Sequence, residues 1–169
     1  TTDLVNTVGN CASRTSAMVD KYLGGTCPAP ADGGAIGALD WSDFTSEQVR
    51  EHLDAMDRFE LGRAIEAAMR IIRRVDTYIN ETRPFKLAGD PEKSGQVAGI
   101  LYDCLEAIRI AACLLESTMP ARIAELRSAW NLGAASGDLE AECGWGRLET
   151  GTAISKVALF PRLEPGEPA

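Results

Sequence analysis

The sequence predicts an all-α protein: an antiparallel helix bundle over residues 1–130, then an irregular C-terminal extension over 131–169 packed on or near the bundle. Three observations lead there. Long segments repeat apolar residues at spacings of three and four, which gathers them on one helical face. No region carries the clustered signals of strands and hairpins. The chain has 169 residues, 45% hydrophobic and 25% charged, enough for one domain with a core that needs no staple.

The first helix is expected over 2–23. Leu4, Val8, Cys11, Thr15, Met18 and Tyr22 share one face, and Asn6, Asn10 and Arg14 form a polar stripe on another. Gly24-Gly25 ends it, because glycine accepts the left-handed conformation past the last turn. Residues 24–44 form a long surface connection containing Gly33, Gly34 and Gly37. Thr45 or Ser46 is the expected N-cap of the second helix, with Glu47 and Glu51 early in it. The third helix has the clearest stripe: Leu61, Ile65, Ala68, Ile72, Val75 and Ile79. It stops before Pro84, since proline disfavours helix in the residue it follows. After a connection over 85–92, a helix runs from about Ser94 to Glu116 with Val97, Leu101, Cys104, Ile108, Ala111 and Leu115 inward. Pro120 opens another, ending near Trp130. Trp41, Trp130 and Trp145 read as packing residues.

Composition narrows the chemistry. A net charge of −8 argues against a general nucleic-acid coat protein, and no DNA partner is expected. Residues 70–86 depart from that balance. Arg70, Arg73, Arg74, Arg83 and Lys86 stand against Asp76 and Glu81, a local excess of +3. Five cysteines without a Cys-x-x-Cys give neither a disulfide framework nor a zinc site, and a reducing compartment fits them. Cys104 and Cys113 are expected in the core. The one histidine, His52, is expected at the surface or half-buried, without the partners of a triad or a metal site. There is no Walker loop and no dinucleotide fingerprint, so no catalytic residue, metal ligand or cofactor is assigned to the chain. No apolar run reaches the roughly 20 residues that span a bilayer, so no membrane partner is expected. The chain opens without an initiator Met or a signal-peptide pattern. It is expected to be a piece or processed product of a longer protein.

Four segments in order resemble the anticodon-binding domain of methionyl-tRNA synthetases. They are Asp3-Leu-Val-Asn-Thr-Val-Gly-Asn-Cys-Ala-Ser-Arg14-Thr with Met18-Val-Asp-Lys-Tyr22; Tyr78-Ile-Asn-Glu-Thr-Arg-Pro-Phe-Lys-Leu-Ala88; Tyr102-Asp-Cys-Leu-Glu-Ala-Ile-Arg-Ile110 with Met119-Pro120; and Leu159-Phe-Pro-Arg-Leu-Glu164. The resemblance implies the helical domain of a class I aminoacyl-tRNA synthetase, a cytoplasmic methionine–tRNA ligase. That parent enzyme would use ATP and Mg in a separate catalytic domain, whose His-x-Gly-His and Lys-Met-Ser-Lys-Ser signatures this chain lacks. The chain alone is expected to be inactive. Its partners would be that catalytic domain and the anticodon stem-loop of methionine tRNA, read at CAU. The motif positions that contact the first anticodon base fall on Asn10, Arg14 and Phe85. Phe85 stands where the family has Trp, keeping a stacking face and losing the indole N–H.

The residues agree with that expectation. Asn10 and Arg14 lie one turn apart on one face. Unpaired bases are read by stacking on rings and by hydrogen bonds to their Watson–Crick edges. Arg70, Arg73, Arg74 and Lys86 are candidate RNA-backbone contacts leading to the Phe85 ring. Two other readings compete: a helical protein–protein module that keeps the synthetase fold, and the matching domain of a sister synthetase. The Gly9-Asn10…Arg14 and Pro84-Phe85 pairs argue against the latter.

Overall fold

The computed structural model describes residues 2–31 and 39–160, with side chains from residue 7 onward. Leu4 and Asn6 of the expected stripes therefore fall outside the described side chains. Gly33, Gly34 and Gly37, and the Pro161-Arg162 end of the terminal motif, fall outside the described residues. The helices are α1 (Thr2–Leu23), α2 (Trp41–Asp57), α3 (Leu61–Thr82), α4 (Pro84–Leu87), α5 (Ser94–Leu115), α6 (Pro120–Ala129) and α7 (Leu139–Glu142), with a 3-10 turn at Pro91–Lys93. Among the described residues the only β-type pairing is an isolated bridge between Thr26 and Ala153. The fold is an all-α bundle, as the periodicity predicts.

α5 is the central element. Every residue from Gly99 to Leu115 is buried, and the helix packs against α1, α2, α3, α4, α6 and α7. A helix buried all round needs apolar residues on every side, and α5 supplies them except at Asp103, Glu106 and Arg109. Around it, α3 contributes Ile72, Val75 and Ile79, and α1 contributes Val8, Cys11 and Met18.

Four expectations need correction. The N-cap of α2 is Asp40, whose carboxylate accepts from the Asp43 N–H at 3.0 Å. Thr45 instead lies inside the helix, where its hydroxyl donates back to the Trp41 carbonyl. His52 is buried, not at the surface, with Nδ1 2.9 Å from the Ala64 carbonyl oxygen, so it ties α2 to α3. Leu61 is 58% exposed because it opens α3 before that helix meets the core. The connection over 85–92 contains helical turns, α4 and the 3-10 turn, each with a proline in its first turn.

One buried ion pair holds the region after α6. Glu106 is fully buried. Arg109 grips its two carboxylate oxygens at 2.8 and 2.7 Å, a bidentate pair. The same guanidinium donates to the Glu142 and Gly144 carbonyls at 2.6 and 2.7 Å. In return, the N–H groups of Arg147 and Leu148 donate to the Glu106 carboxylate at 2.8 and 3.2 Å. Both charges are thus satisfied by the chain they capture. A second polar tie joins α3 to α5, where the Tyr78 hydroxyl donates to Asp103 Oδ2 at 2.8 Å.

Removing one partner of the buried pair leaves the other uncompensated. Glu106→Ala should cost about 3–5 kcal/mol in urea unfolding, whereas replacing both residues by apolar ones of similar volume should cost much less. The Tyr78–Asp103 tie carries a pH signature. Burial pushes the Asp103 carboxyl up to about 6, and the Tyr78 bond opposes that only in part. A raised carboxyl favours the folded state while protonated. Stability from this group is therefore full below its unfolded value near 4 and lost as pH rises through about 6. Asp103→Asn should flatten the stability profile across that window.

Candidate functional site

The polar stripe of α1 meets the C-terminal end of α3. Asn10 is exposed, and Arg14 is partly buried one turn further on. Arg14 Nη2 donates to Asn80 Oδ1 at 3.2 Å, and its charge also acts on Asp76, one turn before Asn80. Burial raises the Asp76 carboxyl, while the Arg14 guanidinium and the Cys11 thiol lower it. Arg14 is therefore oriented by the Asn80 amide of α3, with the Asp76 carboxyl one turn before it feeling its charge.

Just beyond Asn80 the chain turns a corner. Arg83 adopts φ 49°, ψ 56°, ending α3 and opening α4 in one residue. A left-handed conformation costs a residue with a Cβ roughly 1–2 kcal/mol, so the corner needs support. Pro84 supplies some by burying its ring, and the Arg83 N–H donates to the Ile79 carbonyl at 2.9 Å. The next residue, Phe85, is left 42% exposed. An aromatic ring on a proline-anchored corner is a rigid platform suited to stacking on a flat ligand.

The basic residues upstream are placed differently. Arg70 reaches across to Glu51 of α2, Arg73 pairs with Glu66, and Arg74 pairs with Glu81 at 3.0 Å. Each arginine already has a carboxylate, so the local excess of positive charge is largely neutralised along α3. Lys86 lies exposed beside Phe85.

The C-terminal extension adds a further part. The chain after α7 runs back along α1. Ile154 N–H donates to the Gly25 carbonyl at 2.8 Å, Lys156 pairs with Asp20 at 2.7 Å, and Val157 N–H donates to the Ser16 hydroxyl at 3.4 Å. Leu159 is then buried, and Phe160 lies on Gly9, immediately before Asn10. A Cβ at Gly9 would sit 2.7 Å from Phe160 Cδ2, so only glycine leaves room for this ring. The Arg122 guanidinium of α6 lies over the same ring, 5.7 Å from its centroid. The terminal Leu-Phe pair thus backs the α1 turn that displays Asn10.

Among the described residues, no group of three His, Cys, Asp or Glu side chains could hold a metal ion, and no helix is long and apolar enough to cross a membrane.

Comparison with known proteins gives this bundle a family. No family model matches the chain. It is 36% identical over 168 residues to a methionine–tRNA ligase of Deinococcus radiodurans, covering 96% of this chain and 24% of that protein. It is 38% identical over 173 residues to one of Streptomyces coelicolor, covering 97% and 32%. The structure superimposes on the free form of Mycobacterium tuberculosis methionyl-tRNA synthetase with a TM-score of 0.80 at 28% identity, over 97% of this chain and 33% of that one. Its form bound by methionyl-adenylate gives a TM-score of 0.81. The fold is that of a segment of an aminoacyl-tRNA synthetase. The chain belongs to the methionyl-tRNA synthetase family, as a stretch spanning about a quarter to a third of its relatives' length.

The contact between Gly9 and Phe160 can be tested by a double-mutant cycle. Gly9→Ala should destabilise or distort the wild-type chain by displacing the ring. In a Phe160→Ala background the same change should stabilise by up to about 1 kcal/mol, the helix preference of alanine over glycine. Thermal unfolding of the four chains measures both.

Proposed function

We propose that this chain reads the first base of the CAU anticodon of methionine tRNA as the helical part of a methionine–tRNA ligase. The observation that carries the reading is the juxtaposition of an oriented Arg14, an exposed Asn10 one turn away, and a corner at Arg83 that presents Phe85. Cytosine shows acceptors at N3 and O2 and a donor at N4. Arg14 offers donors to the former, and the Asn10 amide oxygen accepts from the latter. Phe85 supplies a stacking face. Its exposure suits that role, since a core anchor would be covered.

Specificity follows from the same groups. Uracil presents an N–H at N3 and an oxygen at position 4, so both side chains would meet like groups in a partly desolvated site. A site built for one hydrogen-bond pattern rejects the other for that reason. Lys86, beside Phe85, is the best placed of the basic residues to meet a phosphate. Arg70, Arg73 and Arg74 would have to exchange a carboxylate for one. Activation of methionine with ATP and Mg, and transfer to the tRNA end, would belong to the catalytic domain of the parent ligase. A cytoplasmic location goes with that parent.

Binding of fluorescent anticodon stem-loops tests the proposal. Wild type should prefer CAU over UAU. Phe85→Ala should weaken CAU binding by about 1–3 kcal/mol, and Phe85→Trp should keep or improve it. Arg14→Ala should weaken CAU binding and narrow its advantage over UAU. Equal proportional losses on both loops would make Arg14 a backbone contact. Equal binding of both loops by wild type would overturn the reading and leave the protein–protein alternative.

A further inference from the structure

A cavity of about 220 Å³ opens where α2 begins beside α5. Its walls include Tyr102 and Asp103 of α5, Asp40 and Trp41 at the start of α2, and Trp145 from the segment after α7. The aromatic walls are held from behind. Trp145 follows Gly144, whose carbonyl accepts from Arg109, and precedes by two residues Arg147, whose N–H donates to Glu106. The buried Glu106–Arg109 pair thus fixes its place. The Trp145 ring stacks on the buried Trp41 ring, with centroids 6.1 Å apart and planes 7° from parallel. Tyr78 and Phe44 pack edge-on against Trp41 at 5.2 and 6.0 Å. Tyr102 is buried, and its hydroxyl donates to the Leu148 carbonyl at 3.4 Å.

The charge in this cavity is unbalanced. Asp103 is only 8% exposed. Its Oδ2 accepts from the Tyr78 hydroxyl at 2.8 Å. Its Oδ1 has no hydrogen-bond partner among the described residues and is not sealed from solvent, so it is open to the cavity that Asp103 lines. Burial pushes this carboxyl up to about 6, with only the Tyr78 bond against it, so at neutral pH it is mostly ionised without a counter-ion. Asp40 adds a second, exposed carboxylate at the rim, where it caps α2. Residues 32–38 contain one further carboxylate, Asp32, and no cationic residue.

These surroundings select the partner. A carboxylate taken out of water needs an opposite charge or further hydrogen bonds. Indole and phenol faces attract organic cations. Hard metal ions take six or more oxygen ligands, which an indole-walled cavity does not offer, and no metal-holding group of three acidic, His or Cys side chains occurs among the described residues. The volume falls below the roughly 300 Å³ at which pockets for drug-sized ligands begin, so the ligand has few heavy atoms. We infer that this cavity binds an aliphatic primary ammonium group, its N–H bonds made to Asp103 Oδ1 and its methylenes laid against the Trp41 and Trp145 rings. None of the residues assigned to RNA takes part, so the inference stands or falls apart from the anticodon reading.

Titration of the full chain with butylammonium chloride at neutral pH, followed by the indole N–H signals in two-dimensional NMR, tests the inference. The signals of Trp41 and Trp145 should shift and saturate, while that of Trp130, which does not line the cavity, stays in place. Potassium chloride at equal ionic strength and neutral 1-butanol should not reproduce the shifts. Asp103→Asn should lower butylammonium affinity at least about tenfold, as expected for losing a charged hydrogen-bond partner. Trp145→Leu should weaken it by removing a π face while keeping bulk. A parallel titration with Nα-acetyl-lysine methylamide distinguishes the sources: its binding admits a lysine side chain of a partner, and its failure beside bound butylammonium assigns a free small amine. Absence of saturable shifts in the wild type, equal shifts with 1-butanol or potassium chloride, or undiminished affinity in a folded Asp103→Asn would overturn the inference. The wild-type titrations alone can overturn it, so a variant that fails to fold leaves the test intact.

Discussion

The buried bond between Glu106 and Arg109 is the constraint on which the rest of this molecule depends. A carboxylate with no exposure, inside a helix that is otherwise apolar, is tolerable only if every oxygen lone pair is used. Here Arg109 uses two and the backbone N–H groups of Arg147 and Leu148 use more. The consequence is topological. Residues after α6, which have little helical preference, are captured on α5 and aimed back toward α1. From that point the strand-like run through Ile154 and Val157 reaches Phe160 on Gly9. Phe160 thereby stands behind the α1 turn that carries Asn10.

The proposed RNA face is built by a different economy. It rests on the outer surfaces of elements whose inner surfaces form the core. On α1, Cys11 faces inward with its thiol near the Ile72 carbonyl while Asn10 and Arg14 face out. On α3, Ile79 is fully buried while Asn80 holds Arg14. The Arg83 corner then converts the end of a core helix into an exposed ring within two residues. Because these side chains sit on packed helices, their geometry is set by the bundle and not by a loop. That suits discrimination between bases differing only in hydrogen-bond pattern.

Much of this was legible in the sequence. The stripe on α3 follows directly from period 3.6, with Leu61 exposed and Ile65 half-buried before the helix enters the core. The bundle, the polar face of α1 and the proline corner were readable for the same reason: each is encoded by local spacing. What escaped was long-range. Glu106 and Arg109, three apart in an apolar helix, look like a local pair, and nothing nearby shows that their partners lie beyond residue 141. Asp40 displaced Thr45 as a cap because Trp41 is drawn into the core, which starts α2 a turn early. The positive stretch over 70–86 seemed available because its neutralising Glu51 and Glu66 lie earlier in the chain. The packing of Phe160 on Gly9 joins residues about 150 apart in the chain, a contact no local pattern specifies.

The most direct measurement of the central claim is a two-dimensional amide and side-chain NMR titration of the chain with a CAU anticodon stem-loop. The largest shifts should fall on the Asn10 side-chain amide, the Arg14 Nε–H and the backbone from Arg83 to Lys86, with smaller shifts from a UAU loop. Shifts centred elsewhere, such as the exposed Phe59 and Leu61 between α2 and α3, or no difference between the two loops, would contradict it.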